Sequence, residues 1–495
     1  MAKIKIDLDR EIGRVDRKLF GGFIEHLGRC IYGGIYDEGS ALSDEHGYRV
    51  DVLEAIRALR LPVLRWPGGN FASGYHWQDG IGPLEQRPRR MNLSWHAEES
   101  NRFGTNEFLR YCRLIDAEPY LCVNMGTGTL DEAQAWVEYC NGTGDTYWAN
   151  LRRQHGHAEP YQVRYWGLGN EMYGDWQIGA LSAEDYVKKA REYAKVMKWT
   201  DPGIHLVSCG QLGWNTWDQV VLEGLASLVD YHSIHIYTSS PDYYRNVLEP
   251  HQAEYALNIC QMLIDRVRYD QQIAHPIRIA YDEWNVLFHE AAPDSPLKER
   301  YTLADALAVA TYLNIFIRHC HTVGMANLAQ LVNVIAPIFT SPEGLFLQTI
   351  YHPLYLYVQH MKDIALDIAI DAPSCAVTPE QGTPLWKLQV AGFGSFKLLD
   401  AAATCDVDAR EVTLAVVNRD REQALTTMIR LGDRQALPGI QVYEVNGADP
   451  GIFNSFEQPR AVDIQTRLLD LGGHHMEYTF PAHSLTLLKL HIPEC

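Results

Sequence analysis

The 495-residue sequence lacks the short motifs that mark the common metal, serine and nucleotide sites of enzymes. It has no HExxH pair, no GxSxG turn and no glycine-rich fingerprint after its first apolar run. Its ten cysteines are scattered, without a CxxC pair or a Cys/His cluster of zinc spacing. We therefore expect no metal and no cofactor, and we interpret the cysteines as reduced thiols of a cytoplasmic protein.

Positive charge and long apolar runs are also scarce. The 43 Lys and Arg residues are outnumbered by 62 Asp and Glu, and the net charge of −19 repels nucleic acid and anionic membranes. The most apolar long stretch, residues 306–317, is far shorter than the ~20 residues of a membrane-spanning helix. The first residues alternate apolar and charged side chains, unlike a signal peptide. We expect a neutral substrate and neither a nucleic-acid nor a membrane partner.

What the sequence does contain is an alternation of β-rich runs with longer segments of helical period. Eight such runs lie at residues 19–26, 61–66, 118–125, 164–171, 204–209, 230–237, 277–284 and 325–332. Their nearly continuous apolar character suits parallel strands that are covered on both faces. One intervening segment repeats apolar residues at helical spacing after Ser182, a candidate N-cap. Eight strands with crossover-length connections predict a (β/α)8 barrel rather than a doubly wound sheet.

The pattern changes beyond about residue 365, where short alternating runs replace the helical period. Such runs predict a β-sandwich. The first residues, KIKIDLD and IGRVD, alternate in the same way, so we expect them to pair into that sandwich. The predicted fold class is therefore α/β, with a (β/α)8 TIM barrel at residues 17–362 and an accessory all-β sandwich domain built from residues 1–16 and 363–495.

Two carboxylates stand out where the active site of such a barrel lies, at the carboxyl ends of its strands. Glu171 ends the fourth run and Glu283 lies at the end of the seventh. A single Glu at a strand end is as well explained by a helix cap or an ion pair. Two of them, preceded by Asn170 and Asp282, favour glycoside hydrolysis, which needs one carboxyl to protonate the leaving oxygen and another to attack or to activate water.

Other polar residues near the strand ends have simpler interpretations. His232 and His235 are not spaced as metal ligands, and we expect them in the core or behind the catalytic residues. Gln330 is expected to face the barrel interior. Gly68 and Gly69 can serve a tight turn alone.

Several stretches together resemble glycoside hydrolase family 51, chiefly retaining α-L-arabinofuranosidases. They are FGGFIEHLGRCIYGGIY, LRWPGGNFASGYHWQDGIGP, NRFGTNEF, NMGTGTLDEA, VEYCN, YWGLGNEMYGDWQIG, YDEWNV and AQLVNVIAPI. They run in the family's order from residue 20 to about residue 355, whereas the tail adds only compatible β character. The resemblance implies a homo-oligomer, and many relatives are hexamers.

The resemblance also implies roles for individual residues. Glu171 is similar to the general acid/base of the family, and Glu283 is similar to its nucleophile. Arg65 is similar to an arginine that orients the carboxylates without contacting the substrate. The substrate-binding positions are Glu25, Asn70, Asn170, Tyr237, Gln348 and Trp95. Leu287 departs from the family, because several relatives have a tryptophan there, and this bears on the leaving-group side.

These assignments predict a retaining, exo-acting release of arabinofuranosyl residues from arabinoxylan, arabinan or their oligosaccharides. Glu171 would protonate the leaving oxygen while Glu283 attacks, and the ionised Glu283 is expected to raise the pKa of Glu171 by like-charge repulsion. Another specificity on the same scaffold, an endo-β-1,4-glucanase or a β-xylosidase, stays open, as does a non-catalytic carbohydrate-binding protein. The preferred polymer and linkage are not predicted.

Overall fold

A computed structural model describes residues 1–286, 300–378, 390–408 and 410–493 of the chain. Eight parallel strands close into a barrel, with the first strand paired to the eighth. In chain order the strands are Gly21–Phe23, Val63–Trp66, Glu118–Cys122, Tyr165–Leu168, His205–Ser208, Tyr231–Thr238, Arg278–Val286 and Val323–Ala329. Each coincides with or overlaps one of the eight predicted runs, so the predicted barrel is confirmed.

Helices connect and cover the barrel strands. Their bounds are Val50–Ala58, Thr105–Ile115, Leu130–Asn141, Tyr147–Gln154, Ala183–Thr200, Thr216–Leu225, Tyr243–Leu248, His251–Asp270, Leu303–Arg318 and Tyr351–His360. The helix Ala183–Thr200 begins as predicted, because the Ser182 side chain accepts from the backbone N–H of Asp185. Short 3-10 helices at Arg17–Phe20, Asn70–Gly74, Trp77–Gly80, Leu84–Gln86 and Val390–Phe393 lie in connecting segments.

The second domain is a nine-stranded sheet that encloses its own apolar core. From edge to edge its strands are Ile464–Leu469, Ile440–Val445, Ser484–His491, Glu411–Asn418, Leu399–Cys405, Ile364–Asp371, Ala2–Arg14, Leu425–Arg430 and Met476–Phe480. The barrel with an accessory all-β sandwich is therefore the fold. We keep residues 17–362 and residues 1–16 with 363–495 as the proposed domain bounds, which the position of Ala2–Arg14 inside this sheet supports.

Three two-stranded antiparallel sheets complete the described strands. They pair Arg90–Asn92 with Ala97–Glu99, Ile338–Ser341 with Gly344–Leu347, and Ser374–Cys375 with Phe396–Lys397. The first hairpin matters for function, because its turn carries Trp95 to the carboxyl ends of the barrel strands.

Candidate active site

The fourth barrel strand ends in a sharp turn that carries Glu171. Gly169 has a φ of +78° and Glu171 itself a φ of +44°, a left-handed conformation that is uncommon outside glycine. Such backbone strain costs about 1–3 kcal/mol and clusters at functional sites. The turn directs the Glu171 carboxylate back over the barrel mouth, where it meets side chains of strands six and seven.

Strands six and seven supply the other side of the cluster. Ser233, His235 and Tyr237 alternate along strand six, so all three side chains point to the same face. In strand seven the pairing with strand six shifts between Ala280 and Glu283. This irregularity lets two consecutive residues of strand seven, Asp282 and Glu283, both contact the cluster.

Glu283 is held by two donors. The Arg65 guanidinium donates to Glu283 Oε2 at 2.8 Å, and the Tyr237 hydroxyl donates to Glu283 Oε1 at 2.7 Å. The same guanidinium donates to Asn170 Oδ1 at 2.5 Å. Arg65 is buried, so it fixes Glu283 and Asn170 relative to each other without contact with solvent. Burial and the negative charge of Glu283 raise the pKa of Tyr237 well above its ordinary value, which keeps this donor protonated.

The two candidate catalytic carboxylates lie close together. One oxygen of Glu171 and one of Glu283 are within 4.8 Å of each other. His235 lies between them, with Nδ1 at 3.0 Å from Glu171 Oε1 and 3.6 Å from Glu283 Oε2. Its Nε2 is 3.3 Å from Asp282 Oδ1, which also accepts from the Ser233 hydroxyl at 2.5 Å. An imidazole is thus surrounded by three carboxylates.

This surrounding charge determines the protonation of the cluster. Burial alone would lower the pKa of His235, but Glu283, Asp282 and Glu171 together raise it to about 10. Burial alone would raise the pKa of Glu171, but His235, Trp176 and Tyr173 lower it. The expectation that Glu283 raises the pKa of Glu171 by repulsion is therefore wrong, because the intervening imidazolium offsets that repulsion.

The same three side chains also have the proximity of a metal site. Glu171, His235 and Glu283 each offer one ligand-type atom within 4.8 Å of the others. The Arg65 cation at 2.8 Å from Glu283, however, repels a metal ion, and Arg65 and the His235 imidazolium together already balance the charges of Glu171 and Glu283. The geometry fits a proton-sharing cluster better than a cation site, and the absence of a cofactor stays a prediction.

A further buried carboxylate, that of Glu25, forms a wall beside the catalytic pair. Glu25 Oε1 accepts from the Phe71 backbone at 2.9 Å and from Trp95 Nε1 at 3.0 Å, while Oε2 accepts from Gln330 at 3.0 Å. Burial raises the pKa of Glu25 to about 7, against these donors. A Cβ at Gly69 would lie 2.8 Å from Glu25 Oε2, so a glycine is needed there for the carboxylate to fit.

The other predicted substrate-binding residues differ in their burial and in their hydrogen bonds. Asn170 is buried and joins it through Arg65, yet its Nδ2 has no hydrogen-bond partner among the described residues. Asn70 is half-buried, and its backbone carbonyl accepts from Ser94 at 2.9 Å. Gln348 is buried, with Oε1 accepting from the Tyr301 backbone at 3.1 Å and Nε2 donating to Ala336 at 3.3 Å.

Comparison with known proteins identifies the family. Over 502 residues the chain is 43% identical to the alpha-L-arabinofuranosidase C of Emericella nidulans, covering 98% of this chain and 97% of that protein. It is 36% identical to the intracellular exo-alpha-(1->5)-L-arabinofuranosidase of Halalkalibacterium halodurans, covering 90% of this chain and 89% of that protein. The family models of the alpha-L-arabinofuranosidase 1 domain and C-terminal domain match residues 55–254 and 282–484.

The chain belongs to glycoside hydrolase family 51. The crystal structure of a Thermotoga maritima alpha-L-arabinofuranosidase in complex with arabinose superposes with a TM-score of 0.91 at 41% identity, covering 99% of this chain and 100% of that one. The GH51 arabinofuranosidase of Thermotoga petrophila superposes with a TM-score of 0.90. The protein is an α-L-arabinofuranosidase, as the resemblance implied.

The structure of this family 51 enzyme places further residues against the candidate substrate-binding and catalytic carboxylates. His235 was interpreted as a core or supporting residue, but it lies between the two catalytic candidates. Its alternation with Tyr237 in strand six was the available signal. Gln330 was expected to face the barrel interior; it is buried, and its amide donates to Glu25 Oε2 at 3.0 Å. Tyr173 and Trp176, which follow Glu171 closely, both donate to its carboxylate.

The remaining observations concern Leu287, the described helices and the cysteines. Leu287 lies outside the described residues, so its effect on the leaving-group side stays a prediction. Among the helices that the structure describes, none has the length and apolar character that crossing a membrane requires. The nine cysteines in the described ranges are free, and eight of them are buried.

Proposed function

We propose that this arabinofuranosidase is a retaining, exo-acting enzyme in which Glu171 is the general acid/base and Glu283 the nucleophile. The observation that carries the proposal is the separation of at most 4.8 Å between one oxygen of each carboxylate. Retaining glycosidases have carboxyls about 5–5.5 Å apart, whereas inverting enzymes need roughly 6.5–9.5 Å to admit a water molecule. The short separation supports direct attack by Glu283 on the anomeric carbon.

The reaction then proceeds by two displacements. Glu283 attacks while Glu171 gives its proton to the glycosidic oxygen, which leaves a covalent arabinosyl–enzyme ester and an ionised Glu171. Glu171 next takes a proton from water as that water attacks the anomeric carbon, and Glu283 departs as a carboxylate. Arg65 and Tyr237 stabilise Glu283 whenever it carries negative charge, before the first displacement and after the second.

His235 supplies the proton with which Glu171 begins. The imidazolium Nδ1–H lies 3.0 Å from Glu171 Oε1, so the proton can move to the carboxylate and leave a neutral imidazole. This transfer changes no charge of the cluster as a whole. The reactive protonation state is therefore available at any pH at which the cluster keeps its shared proton.

The furanose lies between the catalytic pair and the wall of Glu25. The Asn170 Nδ2 group is buried without a partner, and such a donor costs about 1–3 kcal/mol unless a ligand accepts from it. A sugar hydroxyl next to the reacting carbon fits that requirement. We assign the further substrate-binding positions to Glu25, Asn70, Gln348 and Trp95, of which Trp95 contacts Glu25 directly.

The alternative activities are not favoured. The full-length relatives are arabinofuranosidases, which argues against an endo-β-1,4-glucanase or a β-xylosidase. The presence of both Glu171 and Glu283 in one cluster argues against a non-catalytic binding protein. For the natural substrate we propose arabinofuranosyl oligosaccharides from arabinan or arabinoxylan, beginning with α-1,5-linked ones, since the Halalkalibacterium halodurans relative is named for that linkage.

The cellular location and the oligomeric state of the enzyme are also proposals. That relative is named intracellular, and the free, mostly buried thiols suit a reducing compartment, so we propose a cytoplasmic enzyme. We also propose a homo-oligomer, with a hexamer as the first state to test. Light scattering on the purified protein measures the mass directly, and a monomer would contradict the oligomer.

Substrate specificity is tested by comparing aryl glycosides that differ only in the sugar. Aryl α-L-arabinofuranoside, β-xyloside and β-glucoside share one leaving group, so differences in kcat/KM report the glycone pocket alone. We expect the arabinofuranoside to be hydrolysed at least ~100-fold faster than the others, because the buried polar groups lose their partners with a wrong sugar. Equal or faster hydrolysis of the xyloside or glucoside would contradict the assignment.

A further inference from the structure

A tyrosine hydroxyl lies between barrel strands four and five, immediately before the turn that carries Glu171. Tyr186 belongs to the helix Ala183–Thr200, and its side chain is completely buried. Its hydroxyl donates to the carbonyl of Leu168, the last residue of strand four, at 2.8 Å, and it accepts from the N–H of Cys209, just after strand five, at 2.8 Å. Burial raises the pKa of Tyr186 well above its ordinary value, so the hydroxyl keeps the proton that it donates.

This hydroxyl replaces a hydrogen bond of the β-ladder. Strands four and five pair in parallel, and their row of bonds includes one from His205 N–H to Arg164 O at 2.6 Å. Bonds in a parallel ladder are evenly spaced and recur every two residues, so a bond from Cys209 N–H to Leu168 O would continue the same row. Two bonds through the tyrosine hydroxyl take its place, and they hold the strand ends farther apart than one direct bond would.

The turn that carries Glu171 begins where the strand ends separate. Gly169 and Glu171 have φ angles of +78° and +44° there. The next backbone N–H, that of Met172, donates to Cys209 Sγ at 3.3 Å. The turn is therefore tied to strand five on both sides of the acid/base, by the Tyr186 hydroxyl before it and by the Cys209 sulfur after it.

A buried tryptophan holds the ring of Tyr186 in place. Trp217 packs on Tyr186 with ring centroids 5.3 Å apart, and its indole N–H donates to Cys209 O at 2.9 Å. Trp217 also contacts Tyr173 edge to face at 5.6 Å, and the Tyr173 hydroxyl donates to the Glu171 carboxylate. Contacts from this cluster therefore reach both the backbone and the carboxylate of Glu171.

We propose that Tyr186, together with Cys209, is a positioning residue for the acid/base, because the two side chains tie the turn of Glu171 to strand five. The inference rests on the proposed function and adds to it the residues that position the acid. Without the hydroxyl, Leu168 O and Cys209 N–H would be left unpaired, or would bond directly and draw the strand ends together. Either change displaces the Glu171 carboxylate from the leaving oxygen, and a misplacement of about 1 Å can slow a reaction about 100-fold.

The test removes single hydroxyls from one helix. Tyr186→Phe removes the hydroxyl between the strands and keeps the ring. Tyr193 lies two turns further along the same face of the helix, is similarly buried, and donates to Gly128 O, in the loop after strand three, at 2.9 Å. Tyr193→Phe therefore removes a comparable hydrogen bond that does not involve the turn of Glu171, and it is the matched control.

Two aryl arabinofuranosides measure the need for an acid. Phenyl α-L-arabinofuranoside has a poor leaving group that Glu171 must protonate, whereas the dinitrophenyl analogue has a good leaving group that departs without this proton. The ratio of kcat/KM on the phenyl substrate to kcat/KM on the dinitrophenyl substrate therefore reports how well the acid is placed. A variant that is only less stable loses active molecules for both substrates equally, so its ratio does not change.

For Tyr186→Phe we expect this ratio to fall by roughly tenfold, whereas Tyr193→Phe should leave it unchanged. Cys209→Ala removes the acceptor of the Met172 N–H and should also lower the ratio. Cys209→Ser keeps an acceptor at that position and should lower the ratio less than Cys209→Ala does.

An unchanged ratio in Tyr186→Phe, or an equal fall in Tyr193→Phe, would overturn the inference. If Tyr186→Phe does not fold, the Cys209 variants decide, and an unchanged ratio in Cys209→Ala would overturn the claim that these ties position the acid. Glu171→Ala serves as the reference, because it removes the acid itself. A ratio that does not fall in Glu171→Ala would refute the acid/base role of Glu171, and so separates failure of the proposed function from failure of the inference.

Discussion

The replacement of His235 by asparagine tests how the enzyme stores its catalytic proton. His235 is the imidazolium between Glu171, Glu283 and Asp282, with contacts of 3.0, 3.6 and 3.3 Å. Each unit charge at about 4 Å contributes roughly 4 kcal/mol at an effective dielectric constant of 20. Asparagine has a similar size and can still donate to one carboxylate, but it cannot carry the charge or the proton.

The magnitude follows from the proton affinity of the cluster. Against the opposing effect of burial, the three carboxylates raise the pKa of His235 from 6.5 to about 10, which corresponds to a net differential stabilisation of about 5 kcal/mol. In His235→Asn the only proton left for catalysis is that of Glu171 itself. We therefore expect the alkaline limb of the kcat/KM profile to move down by roughly three pH units, with a large loss of activity at neutral pH.

The assay is the pH dependence of kcat/KM on an aryl arabinofuranoside, within the range over which circular dichroism finds both proteins folded. Tyr237→Phe is the control, because it removes a neutral donor from Glu283 and leaves the imidazolium in place. This control should lower kcat/KM without moving the alkaline limb. An alkaline limb that stays in place in His235→Asn would refute the storage of the proton on His235.

Two further substitutions test the catalytic pair and the glycone wall. Glu283→Ala should abolish turnover of every substrate. Glu171→Ala should slow the hydrolysis of substrates with poor leaving groups by about 10²–10⁴-fold, spare substrates with activated aryl leaving groups and be partly rescued by azide. Equal losses on all leaving groups would contradict these roles. Gly69→Ala should displace Glu25 and lower kcat/KM by roughly 10- to 100-fold, measured against Gly344→Ala, where a Cβ meets nothing within 4 Å; equal kinetics in the two variants would contradict the need for glycine.

The sequence predicted the fold well because the barrel strands are short apolar runs with a regular spacing. The same regularity located Glu171 and Glu283, since strand ends can be read from where an apolar run stops. The role of His235 could not be read in this way. It depends on a shift in the pairing of strand seven that brings Asp282 and Glu283 together against strand six, and such a local irregularity has no clear signature in the sequence.

The shift in the pKa of Glu171 was predicted in the wrong direction for a related reason. Like-charge repulsion between Glu171 and Glu283 follows from their proximity alone, and a family resemblance supplies that proximity. The cation between them is a third charge, and its effect on the pKa of Glu171 appears only when three distances are known together. The contact between Gln330 and Glu25 was also not predicted, because it joins residues more than three hundred positions apart.

The central claim is that Glu283 attacks the anomeric carbon directly, and the configuration of the first-formed product tests it. Proton NMR recorded during the first minutes of hydrolysis of an α-L-arabinofuranoside distinguishes the two anomers before mutarotation mixes them. The short separation of Glu171 and Glu283 predicts α-L-arabinofuranose as the first product, by net retention. First appearance of the β-anomer would mean that water attacks directly, and it would contradict the role of Glu283 as nucleophile.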